Sequence, residues 1–159
     1  MNYTHYILTR FNLALYTDNP YKIKDPDKWM VDRCELFEKF TLKTVQAQTV
    51  QNFKWILSFD ELTPVKYLKR YDYIDNIEIC FEQPHNYLKT KDIETSWLVT
   101  TRLDNDDSWH PDFIKIVQSQ IAESTQIIDV DYLKVWNDKK KPSGRIRPNS
   151  PFLSFQTFR

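Results

Sequence analysis

The sequence predicts an α/β fold with a mostly parallel central sheet covered by helices on both faces. Short β-rich runs alternate with stretches of helical period, an order that requires crossover connections. The run from Trp97 to Leu103 is almost continuously apolar, as a strand buried on both faces must be. With 159 residues, 41% of them hydrophobic, the chain suits one domain with a sizeable core.

Taken in order, Tyr3–Thr9 (YTHYILT) reads as the first strand. The polar stretch 16–28, with Pro20 and Pro26, reads as a long loop. From about Trp29 to Gln48, Met30, Cys34, Phe37, Phe40 and Val45 recur at intervals of three to five and predict one apolar helix stripe. Phe53–Phe59 (FKWILSF) predicts a second strand, ended by the turn Asp60-Glu61-Leu62-Thr63-Pro64. Pro64 suits the first position of a short helix reaching Tyr71. Ile77–Phe81 (IEICF) predicts a third strand, and Tyr87–Thr95 admits one or two helical turns. The central strand Trp97–Leu103 stops at Asp104-Asn105-Asp106-Asp107. Pro111 then opens a helix whose Phe113, Ile116, Val117 and Ile121 share a face. One or two further strands fall within Gln126–Trp136, and Lys139-Lys140-Lys141-Pro142-Ser143-Gly144 reads as a solvated turn.

Composition excludes several chemistries. Average glycine usage of about 7% would put roughly eleven in a chain this long, yet Gly144 stands alone. A P-loop, a dinucleotide fingerprint and a G-x-S-x-G elbow each need more than one. A phosphate here must be held by side chains or by a metal. Cys34 and Cys80 lie far apart with no C-x-x-C, which fits two buried thiols in a reducing cytoplasm. His5, His85 and His110 form neither H-E-x-x-H nor any zinc spacing. Basic and acidic residues balance at 22 each and are dispersed, so nothing predicts nucleic acid or an acidic membrane as partner. No apolar run approaches the ~20 residues that span a bilayer, and no secretory signal is expected at Met1-Asn2-Tyr3-Thr4-His5.

The acidic run is the most informative feature. In open α/β sheets ligands bind at the carboxyl ends of strands, and Asp104–Asp107 follow directly on the most apolar strand. Residues two apart in an extended segment point the same way, so Asp104 and Asp106 can present carboxylates to one side. Such hard oxygen donors suit Mg²⁺ or Mn²⁺, with water and substrate phosphates completing the shell. A turn followed by a helix cap is the competing explanation, since Asp and Asn favour both. Three aspartates exceed what one cap needs. An EF-hand does not match: the sixth position from Asp104 is Trp109 and the twelfth is Lys115, where Gly and Glu are required.

Three motifs occur in order over most of the chain: Thr9-Arg10-Phe11-Asn12; Gln48-Thr49 with Phe53-Lys54-Trp55-Ile56-Leu57-Ser58-Phe59-Asp60; and Thr101-Arg102-Leu103-Asp104-Asn105-Asp106-Asp107. In these the sequence resembles the putative rhamnosyltransferase family, which is similar to glycosyltransferase family 2. The resemblance implies a GT-A-like three-layer α/β/α sandwich, a single nucleotide-sugar-binding domain over residues 1–159. It implies that Asp104 and Asp106 match the D-x-D motif holding Mn²⁺ or Mg²⁺ on the donor diphosphate, with Asp107 assisting in the metal site. It implies that Asp60 meets the nucleobase and that Arg10 begins the nucleotide pocket. Read without the resemblance, Asp60 starts a turn before Pro64 and Arg10 joins a surface ion pair. Arg102 adds positive charge at the leaving phosphate or pairs with a nearby carboxylate.

The implied reaction is transfer of a sugar from a nucleotide-sugar donor to a glycan or other hydroxyl acceptor. A divalent cation would offset the charge that builds on the leaving diphosphate. An inverting transfer needs a carboxylate to take the acceptor proton, and none is assigned. The resemblance implies an acidic residue shortly after Asn149-Ser150-Pro151-Phe152-Leu153-Ser154, where this sequence reads Phe155-Gln156-Thr157-Phe158-Arg159. The acceptor-side part is therefore expected to be missing. Self-association or a second chain is expected around Phe152, Phe155 and Phe158. A late metal-binding histidine has no counterpart either, and Asp129 and Asp131 are expected to face solvent. A binding-only protein that holds nucleotide-sugar or cation without turnover is the alternative. His110 reads as a cap or surface residue. Trp55, Trp97 and Trp136 read as core, while Trp109 is expected to stack on a sugar or base.

Overall fold

Four parallel strands form the spine of the sheet: β1 (Tyr3–Arg10), β2 (Lys54–Ser58), β3 (Ile77–Cys80) and β4 (Trp97–Arg102). The computed structural model describes residues 1–128, 132–137, 140–146 and 154–158. Beyond β4 come β5 (Gln126–Ile128), the antiparallel pair β6 (Tyr132–Asn137) and β7 (Lys140–Ile146), and β8 (Ser154–Phe158). β8 inserts antiparallel between β4 and β5, giving the sheet order β3-β2-β1-β4-β8-β5. The expected α/β architecture with a mostly parallel sheet is what the chain adopts. The solvated turn expected at 139–144 is corrected: from Lys140 onward this segment is strand, because β6 supplies a ladder partner (Lys134 opposite Gly144) that overrides poor intrinsic β-propensity. Asp129, Asp131 and Phe152, and the side chains of Trp136, Phe155 and Phe158, lie outside the described residues.

Helix α1 (Pro26–Leu36) begins earlier than the polar stretch suggested. The Lys28 backbone N–H donates to the Asp25 side chain at 2.9 Å and Pro26 occupies the first turn, so the proline opens the helix instead of belonging to a loop. α1 continues through a π-helical segment (Phe37–Leu42) into α2 (Lys43–Gln46). The wider turn shifts the phase of the stripe: Phe37 and Thr41 are buried, whereas Phe40 is 42% exposed. The remaining helices are short: α3 (Val65–Leu68), α4 (Pro84–Lys89) and α5 (Phe113–Ser119). Pro64 caps α3 from outside, and α4 starts on Pro84, ahead of the ambiguous stretch. On α5 the buried face is Phe113, Ile114 and Val117, while Ile116 is exposed.

Alternation along β1 splits the core between the two faces of the sheet. Ile7 joins the larger cluster, with Phe11, Phe37, Trp55, Phe59, Tyr71, Val99 and Phe113. Tyr6 joins the smaller one, with Ile56, Cys80 and Leu88 of α4. The Phe11 ring stacks on Phe59 at 4.6 Å and meets Phe37 edge-on at 5.1 Å. Each such side chain contributes about 1.5–3 kcal/mol when buried. Trp55 is buried as expected, and its indole N–H donates to Thr9 Oγ1 at 2.9 Å. Cys34 and Cys80 are buried free thiols. Among the described residues no helix is long and apolar enough to cross a membrane.

Candidate functional site

The carboxyl ends of β1 and β4 open onto a cavity of about 630 Å³. One wall is the loop after β1, from Phe11 to Leu15, with Pro20, Tyr21 and Ile23; a second is Trp29 and Arg33 of α1; the third is Arg102 with Asp104–Asp106. Arg10 and Gln83 complete the lining, and a smaller adjoining cavity of about 260 Å³ shares Arg10, Gln83 and Arg102 with Leu8, Pro84 and His85. The structure thus brings Arg10, Arg102, Asp104 and Asp106 together on one surface. It leaves Asp60 and Asp107 off that surface.

The acidic run is held in place by arginines. Arg102 donates through Nε (3.1 Å) and Nη2 (3.0 Å) to Asp104 Oδ1, with a further bond to Oδ2 at 3.0 Å. Arg33 Nη1 donates to Asp106 Oδ2 at 2.6 Å and to Asn105 Oδ1 at 3.1 Å. Asn105 points inward between the two aspartates, is buried, and donates from Nδ2 to the Phe11 carbonyl at 2.6 Å. The Arg33 guanidinium also lies 4.9 Å over the Trp29 ring. Arg10 has no ion-pair partner among the described residues. Asp107 is half-buried, and that burial, then the charges of Asp106 and Asp104, push its carboxyl up to about 6 against the pull of Arg102. Among the described residues no three His, Cys, Asp or Glu side chains converge on one cation position. Of the expected trio, Asp104 and Asp106 stand on the cavity wall and Asp107 lies beside it.

Asp60 is a clamp for the cavity wall. It is 2% exposed, and its Oδ2 accepts from the Tyr16 and Thr17 N–H groups (2.9 and 3.0 Å) and the Thr17 hydroxyl (3.0 Å). Its Oδ1 accepts from the Leu62 N–H at 2.9 Å. Burial acts to raise its pKa, but these donors, Leu62 first, outweigh it and hold the carboxyl below the usual range. Asn12 ties the same loop to the turn after β2, accepting from the Asp60 N–H at 3.1 Å and donating to Thr63 Oγ1 at 3.0 Å. Within that loop Ala14 sits at φ 61°, a left-handed conformation that costs a residue with a Cβ about 1–2 kcal/mol.

Trp109 does not serve as a stacking platform. It is buried and packs its ring on Phe113 at 4.4 Å, so the side chain belongs to the core beneath the loop. His110 is exposed, and its Nδ1 accepts from the Asp112 N–H at 3.2 Å, in keeping with a cap or surface role. Gln48 pins the segment, its Nε2 donating to the His110 carbonyl (2.8 Å) and its Oε1 accepting from the Ile114 N–H (2.9 Å). Sequence reasoning missed Arg33, Trp29 and Gln83. The i,i+4 spacing of Trp29 and Arg33 was a local signal for their stacking; nothing local marked Arg33 as a partner for an acidic residue 73 positions on.

Fold and cavity together define an α/β protein whose cleft opens at strand carboxyl ends and is lined by arginine and aspartate. The family described as "putative rhamnosyl transferase" matches residues 16–133, three-quarters of the chain, and the chain belongs to that family, a glycosyltransferase family. The matched span holds Asp60, Arg102 and the acidic run. No curated protein matches the chain.

Proposed function

We propose that the chain binds a nucleotide-sugar in the larger cavity and transfers its sugar to a hydroxyl acceptor, on a GT-A-like scaffold. The supporting observation is the composition of the wall: three arginines against two aspartates leave it net positive, with Arg10 unpaired among the described residues. A guanidinium presents a planar fork suited to phosphate oxygens, which is how a glycine-poor chain can hold a diphosphate. Arg10 and Arg102 bind and orient the phosphates, and Trp29, Tyr21 and Ile23 offer apolar surface to base or sugar.

The donor set fits Mn²⁺ or Mg²⁺. Asp104 and Asp106 supply hard oxygens, and a divalent cation beside them would offset the two negative charges that, after burial, raise Asp107. Asp104 and Asp106 would hold the ion, which when bound supplies charge neutralisation at the leaving diphosphate. The arginines now paired with them would turn to the phosphates.

A binding-only role is favoured by one observation. The carboxylates that line the cavity are both paired with arginine, so among the described residues none stands ready to take an acceptor proton. Calorimetry with UDP, GDP and dTDP, with and without Mn²⁺, tests the donor site: metal-dependent binding is expected, and it is abolished in Asp106→Ala. Failure of every nucleotide to bind overturns the proposal. A product assay with radiolabelled donor then separates the two roles, since sugar transfer or donor hydrolysis by the chain excludes the binding-only one.

A further inference from the structure

Arg33 is the charged wall residue that a helix, and not a strand end or loop, delivers into the cavity. Its contacts are of two kinds. The bond to Asp106 is short and charge-assisted, but the pair is partly solvated, at 21% and 50% side-chain exposure, so it exchanges at modest cost. The contacts to Asn105 Oδ1 and to the Trp29 ring are neutral, and Asn105 is itself buried and anchored on the Phe11 carbonyl. Loss of Asp106 therefore leaves the guanidinium held in the cavity by two other groups.

We infer that Arg33 couples cation to donor: it neutralises Asp106 in the ligand-free chain, yields Asp106 to an arriving divalent cation, and then binds the donor diphosphate. This rests on the nucleotide-sugar site proposed above. Like charges within a few ångströms repel, so a cation on Asp106 drives the guanidinium off that carboxylate. The diphosphate brought by the donor is the anion that receives it. Trp29 and Asn105 keep it within reach and fix the plane of its fork. Arg102 differs, because its partner Asp104 is two residues away on the same strand end and its pairing spans no second element.

The consequence is a pair of effects with opposite sign. Arg33→Ala removes a competitor for Asp106, so Mn²⁺ alone binds about fivefold more tightly; it also removes a phosphate ligand, so UDP, GDP or dTDP with Mn²⁺ binds about tenfold more weakly. Arg33→Lys keeps the charge without the fork: Mn²⁺ affinity stays near wild type and nucleotide affinity falls to an intermediate value. Titration calorimetry reads both, with thermal melts confirming the fold. Both affinities falling together, or neither moving, overturns the coupling. Metal-dependent nucleotide binding that neither variant alters overturns the coupling alone, whereas absence of Mn²⁺ and nucleotide uptake in wild type and both variants overturns the donor site and the coupling with it.

Discussion

At Thr101, strand β4 feeds a sealed polar network, whereas one residue on, at Arg102, it feeds an open one. In the sealed network Gln118 donates from Nε2 to His5 Nδ1 (3.2 Å), which leaves the ring proton on Nε2 for Thr101 Oγ1 (2.8 Å); Thr101 in turn meets Ser154 Oγ at 2.6 Å. His5, Thr101 and Ser154 are all buried, and together they stitch β8 onto the parallel strands. In the open network the partners are charged, partly solvated and line a cavity. A buried network is costly to disturb because each group loses water as well as its partner. Exposed ion pairs contribute about 0–1 kcal/mol and can be exchanged for a ligand. The same strand therefore holds the fold together at one residue and opens onto the cavity at the next.

The largest test of this contrast is pH. Burial lowers the His5 pKa from 6.5 to about 3. Because the unfolded chain takes up the proton first, the stability due to neutral His5 is complete above pH 6.5 and is lost as pH falls toward 3. The loss amounts to roughly 3–5 kcal/mol over that window. Urea melts across it should show the decline, and His5→Gln should flatten it; an equally steep decline in the variant would place the acid sensitivity elsewhere.

Next comes Thr101→Val, which leaves two buried partners unsatisfied and should cost about 1–3 kcal/mol. Nucleotide affinity should stay unchanged in the same variant, and a parallel loss would mean that the two networks are not separate. Arg10→Ala should do the converse, weakening UDP, GDP or dTDP binding about tenfold while shifting stability by less than ~0.5 kcal/mol. The smallest effect is expected at Ala14, where Ala14→Gly relieves the left-handed strain and should stabilise the chain by up to about 1 kcal/mol. A drop in melting temperature there would show that the loop needs the methyl group for packing.

Much of this contrast was legible along the chain. The strands at Tyr3, Phe53, Ile77 and Trp97 announce themselves by β-rich apolar runs, and the acidic run by its place after the most apolar of them. Asp104 and Asp106 do line one cavity, but on a turn closed by the Asp107 N–H on the Asp104 carbonyl (3.2 Å), not on the extended segment that the spacing assumed. Other positions misled for definable reasons. Phe40 and Ile116 fit a regular helical stripe, but a π-turn and the actual orientation of α5 expose them. Trp109, expected beside a ligand, turns down onto Phe113 because an indole gains more from burial than from solvent. Asp60 lies at the strand end where a ligand contact was expected, and there three hydrogen bonds from Tyr16 and Thr17 tie it to the neighbouring loop and one from Leu62 to its own turn.

The sequence by itself determined the α/β class, the parallel spine and the family, because hydrophobic period and short motifs are local quantities carried by neighbouring residues. Only the tertiary structure decided that Arg33 meets Asp106 across 73 residues, that His5 meets Thr101 and Thr101 meets Ser154, and that Asp60 spends its carboxylate on Tyr16, Thr17 and Leu62. Those pairings depend on how strands register and which way a helix face turns, and a charge or hydroxyl has no preferred partner until packing places one beside it.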